Sequence, residues 1–202
     1  MLRDMFLKSL LSRRSFLSLL LCFLLLSFAA PLSGQAPQPP ATIYLIRHAE
    51  KLTDGREDLS PQGFQRAAVL PQIFVATPGI NRTLLPKPEF LFATHASKHS
   101  NRPYETIQPL SSALNLPISA DIANDDFAQL AQLLLSGKYA GKIVLVSWHH
   151  GKLPQLATAL GATPPYTPWP ETQFDRIWRI DYRNGKATLT DLPQALMPGD
   201  SK

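Results

Sequence analysis

The 202-residue chain carries 20 Lys+Arg against 15 Asp+Glu, is 45% hydrophobic and 17% charged, and holds a single cysteine. That length suits one domain with a sizeable core, and the composition excludes a disordered or collagen-like chain. One cysteine excludes an intramolecular disulfide framework and any multi-cysteine zinc or iron–sulfur site, while the formal charge of +5 raises the question of nucleic acid or membrane partners.

The amino terminus answers that question. Arg3, Lys8, Arg13 and Arg14 precede an apolar run from Phe16 to Ala30. The run is shorter than the about 20 residues that span a bilayer and suits the core of a secretory signal. Small residues at Gly34 and Ala36 place cleavage after Ala36, so residues 1–36 read as a signal peptide. Ser12-Arg13-Arg14-Ser15-Phe16-Leu17 resembles a twin-arginine export motif, with the general secretory route as the alternative. Leu20 and Leu21 before Cys22 argue against a lipoprotein, whose processing wants small residues there. The chain is therefore expected to meet the export machinery and to be periplasmic or secreted; an uncleaved leader would anchor it to a membrane. Without the leader, four of the 20 basic and one of the 15 acidic residues are gone, leaving 16 against 14, or +2, and no cysteine. A thiolate nucleophile is then excluded, and nucleic acid binding loses its support.

Residues 37–41, Pro-Gln-Pro-Pro-Ala, read as an extended spacer, and residues 42–202 as the domain. Thr42–Arg47 is a β-branched and aromatic run, the mark of a buried strand. Ser60-Pro61 predicts an N-cap with proline at the first helical position, and a helix to about Val75 that Pro71 kinks or splits. Phe90–Ala93 reads as a strand and Pro103–Asn115 as a helix. Asn124 is expected to cap a helix in which Phe127, Leu130 and Leu134 share one face. Lys142–Trp148 is a central strand, followed by a helix with the stripe Leu153, Leu156, Leu160 and a stop at Gly161. The proline-rich residues 162–170 form a loop, with Trp169 packing it onto the body. Phe174–Tyr182 and Ala187–Thr190 are strands around an Asn184-Gly185 turn, with Asp175 and Arg176 expected to be exposed or paired locally. Strand and helix alternate, so the expected fold class is α/β: a three-layer αβα domain with a mainly parallel central sheet.

All five histidines fall between positions 48 and 150, and three directly follow the two best strands. Ligands of open α/β sheets bind beyond the carboxyl ends of strands. His48 and the pair His149-His150 would share one crevice if their strands are neighbours. Arg47 adds a planar donor fork suited to phosphate or carboxylate.

Ile43-Tyr44-Leu45-Ile46-Arg47-His48-Ala49-Glu50-Lys51 resembles the strand and Arg-His motif of the histidine phosphatase, or phosphoglycerate mutase-like, superfamily. Leu59-Ser60-Pro61-Gln62-Gly63-Phe64-Gln65-Arg66-Ala67 is similar to its next segment, a capped helix with glycine in the first turn. Ser100-Asn101-Arg102-Pro103-Tyr104-Glu105-Thr106 resembles its Arg-x-x-(Gln/Glu)-Thr element, and Val144-Leu145-Val146-Ser147-Trp148-His149-His150-Gly151 its second histidine strand. The order of these elements matches over most of residues 42–190.

The resemblance implies a phosphoglycerate mutase-like fold and a phosphatase that hydrolyses phosphate monoesters of small molecules. His48 would attack phosphorus to form a phosphohistidine; Arg47, Arg102 and His149 would hold the phosphoryl oxygens. No metal or cofactor is implied. His150 stands where some relatives carry an aspartate and is a further substrate-binding candidate. Asp121 is chosen as the general acid over Asp125 and Asp126, which read as first-turn charge of the following helix. The loosened spacing between His95 and Arg102 leaves the parts of Ser97, Lys98, His99 and Ser100 open. Three other readings compete: a noncatalytic phospho-ligand-binding relative, an intracellular-type phosphoglycerate mutase, and a metal hydrolase built from His95, His99, His149 and His150.

Overall fold

β1 (Thr42–Arg47) is buried along its whole length in the computed structural model, which describes residues 37–201. Its side chains alternate between two cores, Ile43 and Leu45 into one and Tyr44 and Ile46 into the other. That is the two-residue period of a strand covered on both faces. β2 (Phe90–Thr94), β3 (Ile118–Ile122), β4 (Ile143–Trp148), β5 (Arg176–Arg183) and β6 (Lys186–Pro193) complete a sheet of order β3-β2-β4-β1-β5-β6. The β3-β2, β2-β4 and β4-β1 pairs are parallel, and β5 and β6 are added antiparallel.

Among the described residues four α-helices cover the sheet: α1 (Pro61–Val69), α2 (Arg102–Leu114), α3 (Phe127–Leu135) and α4 (Leu153–Ala159). α3 and α4 place Leu130, Leu134, Leu153 and Leu156 on Ile43, Leu45, Val144 and Val146. α2 places Ile107 and Leu110 on Tyr44, Ile46 and Leu145, beside Leu70 and Ile73 from the turn after α1. The architecture is the expected three-layer αβα domain. The leader read from residues 1–36 lies outside the described residues. Among those described, no helix is long and apolar enough to cross a membrane.

Local chemistry accounts for most boundaries. The Ser60 hydroxyl accepts the Gly63 amide at 3.1 Å with Pro61 opening α1, and Pro71 converts the chain to a 3-10 turn over Leu70–Ile73. Gly63 is required for contact: a Cβ there would sit 2.2 Å from the Glu50 carbonyl oxygen. α1 thus lies directly on the backbone two residues past His48. Asn184 and Gly185 both have positive φ, 51° and 74°, as a two-residue primed hairpin turn needs. The loop of 162–170 is pinned by Trp169, which packs against Tyr166 and Trp178.

Three expectations are corrected. β3 is absent from the sequence reading, because a short edge strand alternating half-buried and exposed residues carries little apolar signal. Asn124 opens a 3-10 turn (Asn124–Asp126) and makes no side-chain cap. Its carbonyl instead accepts the Trp148 indole at 3.3 Å. Asp175 and Arg176 are buried: Asp175 accepts the Ser201 amide, and Arg176 pairs across the β5–β6 hairpin with Asp191 at 3.0 Å.

Candidate active site

The parallel register of β1 and β4 sets Arg47 opposite Trp148, and the His48 amide donates to the Trp148 carbonyl at 3.1 Å. The next residues of the two strands, His48 and His149, are therefore level at the carboxyl edge of the sheet. Their rings meet edge to face with centroids 5.3 Å apart. β2 ends alongside, with the Thr94 hydroxyl 3.5 Å from His149 Nε2, and α2 starts at Arg102.

His48 has one assigned tautomer. Its Nδ1 lies 2.7 Å from the Ala49 carbonyl, and a carbonyl only accepts, so Nδ1 carries the proton and Nε2 keeps its lone pair. Burial holds the imidazole well below its ordinary range; the Ala49 bond opposes this and the positive charges of His149, Arg47 and Arg102 reinforce it. The ring is neutral at pH 7, the state a nitrogen nucleophile needs.

Arg47 is 1% exposed yet pairs with no carboxylate. Its Nη1 donates to the carbonyls of Pro170, Glu171 and Gln173 at 3.1, 2.6 and 3.2 Å, and its guanidinium lies 3.8 Å over the Phe174 ring. Nε and Nη2 are buried with no protein partner. Burial lowers this group to about 10, which leaves it charged at neutral pH. Arg102 is held the same way: Nη1 donates to Arg56 and Glu57 carbonyls at 2.9 and 3.2 Å, and its Nε is also unpartnered. Burial, then the charges of Arg102, His150 and Arg47, bring His149 down to about 4.

Guanidinium donors with buried, unused N–H groups and no carboxylate bonded to them describe a cradle for an anion. Arg47 and His48 form its floor; Arg102, His149 and His150, all half-buried, form its rim. α2 supports this floor through a residue whose role sequence did not reveal. Thr106 accepts the Ala49 amide at 2.8 Å and donates to the Arg102 carbonyl at 2.7 Å, tying the loop after His48 to the helix. Glu105 accepts the Leu59 amide at 2.9 Å.

The structure thus brings Arg47, His48, Arg102 and His149 together, with His150 adjoining. It does not bring Asp121. That residue is exposed on β3 and lines a separate groove with Phe92, Ile122, Lys138 and Tyr139, because β3 is an edge strand with β2 between it and the β4–β1 pair that carries the histidines. His95 and His99 are exposed on the loop after β2. Among the described residues no three His, Cys, Asp or Glu side chains assemble to hold a metal ion.

No protein-family model matches the sequence, and no curated protein is found as a relative. Solved structures do match. The phosphoserine phosphatase of Entamoeba histolytica, in complex with 3-phosphoglyceric acid, is 16% identical, with 77% of this chain and 99% of that chain covered and a TM-score of 0.51. A mutant of that phosphatase in complex with phosphoserine is 15% identical, with 77% and 98% covered and a TM-score of 0.50. Both neighbours belong to the histidine phosphatase, or phosphoglycerate mutase-like, superfamily. This chain has the histidine phosphatase fold. The alpha-ribazole phosphatase of Shigella flexneri also aligns, at 16% identity, 75% and 96% coverage and a TM-score of 0.46.

Within this histidine phosphatase fold, sequence reasoning missed the clamp on Arg47. The carbonyls of 170–173 and the Phe174 ring come from a loop about 120 residues away in sequence, and backbone carbonyls leave no residue-type signal. It also missed Arg66, buried between Glu50 and Asp200. The basic residue in the α1 segment was visible; its acidic partner beyond β6 was not.

Proposed function

We propose that the protein is a phosphatase that hydrolyses phosphate monoesters through a phosphohistidine on His48. The observation that carries this reading is the tautomer lock: Nδ1–H on the Ala49 carbonyl leaves a neutral, lone-pair-bearing Nε2 inside a cluster of cations. Nε2 attacks phosphorus as the bond to the ester oxygen breaks and the alcohol departs, while Arg47 and Arg102 direct unused N–H donors at the equatorial oxygens and His149 stabilises the developing charge from the β4 side. Water then attacks the phosphohistidine and phosphate leaves. The substrate is a small phosphorylated molecule. The same reading takes residues 1–36 as an export signal and places the domain outside the cytoplasm; fractionation of cells making the full chain tests that separately.

The deciding experiment is phosphate release by the purified full-length protein on a panel of aryl and alkyl phosphates, beside His48→Ala. Turnover by the wild-type protein that falls to background in His48→Ala, with acid-labile, base-stable phosphate trapped on the wild-type chain, is the expected result. Saturable binding of phosphate esters without release of phosphate would instead support a noncatalytic binding relative.

A further inference from the structure

The cradle supplies positive charge and a nucleophile but, in the roles described so far, no proton for the oxygen that departs. The carboxylates within electrostatic reach of Arg47, Arg102 and His149 are Glu50, Asp58, Glu105, Asp125 and Glu171. Glu50 is bound to Arg66 at 2.7 Å. Asp125 is paired with Lys152 at 3.0 Å and is 81% exposed. Burial and a hydrogen bond with the exposed Asp58 raise the Glu105 carboxyl, against the Leu59 amide it accepts, so a proton there is tied up within that pair. Glu171 meets Arg47 through its backbone carbonyl and holds its side chain in solvent. None is a buried carboxylic acid free to donate.

His150 is differently placed. It follows His149 at the carboxyl end of β4, is half-buried on the cradle rim, and its Nδ1 is buried with no hydrogen-bond partner. The charged groups facing it are Arg47 from β1, Lys51 just beyond the nucleophile, Glu171 from the clamp loop, and neighbouring His149. Two of those groups, Lys51 and Glu171, line an open cavity of about 610 Å³ together with Phe174, so His150 lies within electrostatic reach both of Arg47 and of residues bordering that cavity.

Resting on the phosphatase reading above, we propose that His150 is the catalytic acid that protonates the leaving group. As the bond from His48 Nε2 to phosphorus forms and the bond from phosphorus to the ester oxygen breaks, the His150 imidazolium gives its proton to that oxygen, and an alcohol departs. In the second half, neutral His150 takes a proton from the attacking water while the nitrogen–phosphorus bond breaks, so His48 and His150 both return to their starting states. Burial and then the Arg47 and Lys51 charges disfavour its charged form in the free protein. A bound phosphoryl dianion offsets those charges and lets the ring carry a proton near neutrality.

The test compares kcat/KM across pH for 4-nitrophenyl phosphate, whose phenolate leaves without protonation, and an alkyl phosphate such as glycerol 2-phosphate. The wild-type full chain is set beside His150→Gln and His150→Asp. His150→Gln is expected to lose about 100-fold or more on the alkyl ester and at least about 10-fold less than that on the aryl ester, with circular dichroism and Tm reporting that the variant is folded. His150→Asp is expected to recover at least about 10-fold of the alkyl activity over His150→Gln, with the basic limb of its profile moved to lower pH. Equal losses on the two esters, or an aspartate variant no better than glutamine, would overturn the role. Turnover of neither ester by the wild-type protein would remove the phosphatase reading itself, a failure distinct from a wrong acid.

Discussion

Two buried arginines, Arg47 just before His48 and Arg66 bound to Glu50 just after it, meet opposite fates. Arg66 is enclosed by carboxylates: Glu50 takes Nε and Nη2, and Asp200 takes Nη1 and Nη2, all within about the 2.7–3.1 Å range of charge-assisted bonds. Arg47 is enclosed by neutral carbonyls and an aromatic face, with two donors unused. Arg66 has its charge cancelled inside the fold and works as a rivet between α1, the loop after His48 and the chain beyond β6. Arg47 is held in place without being neutralised, which keeps its charge for something that is not protein. On the phosphatase reading proposed above, the difference separates the cation that builds the domain from the one that serves a ligand.

The largest effect should come from breaking the second of these. Arg47→Ala is expected to lower kcat/KM by about 10²–10³-fold and to abolish thermal protection by inorganic phosphate. In the wild-type protein that protection reaches about 2.7 kcal/mol at a hundredfold excess over Kd, read as a Tm shift. Phosphate that still protects the variant would show that Arg47 is not part of the anion cradle. Arg66→Ala should do the reverse. Stranding Glu50 and Asp200 costs about 3–5 kcal/mol of stability, measured by urea unfolding, while phosphate still raises Tm in the molecules that fold.

Acid separates the two regions as well. His149 titrates at about 4 in the folded protein against about 6.5 unfolded. The unfolded chain takes up that proton first, so this stability is present above the unfolded value and lost as pH falls towards 4. Asp200 behaves differently. Burial would raise its carboxyl, but Arg66 and the Met197 and Leu196 amides outweigh burial and hold it low. Its contribution is lost only below the unfolded value of about 4. Tm measured against pH should decline in two stages, and saturating phosphate should flatten the upper stage alone, since the anion favours protonated His149. A single stage unaffected by phosphate would contradict the distinction.

The smallest expected effect tests the link between the regions. Thr106→Val removes the acceptor for the buried Ala49 amide and should cost about 1–3 kcal/mol, with a fall in kcat larger than any rise in KM.

Much of this was legible in the residues because the strong signals are local. Buried strands such as Thr42–Arg47 and Ile143–Trp148 announce themselves through apolar runs, Ser60-Pro61 through capping chemistry, and Asn184-Gly185 through positive φ. The meeting of Arg47, His48 and His149 followed from histidines placed after strands, given that those strands are neighbours, while Arg102 came from the resemblance of Ser100–Thr106 to the family's Arg-x-x-(Gln/Glu)-Thr element. What stayed hidden depends on tertiary contact. The Arg47 clamp uses backbone carbonyls, the Arg66 rivet needs a partner 134 residues away, and Asp121 falls off the site through the unrecognised β3.

The β1–β4 register has a consequence for how the protein comes alive as well as for how it works. His48 and His149 are about a hundred residues apart in the chain and become neighbours only when two parallel strands zip together. Such non-local pairing is slow relative to helix formation. During refolding, helical circular dichroism should recover first, and phosphate-protectable structure only once that pair has closed. The appearance of the site thereby times the closure of the β1–β4 pair.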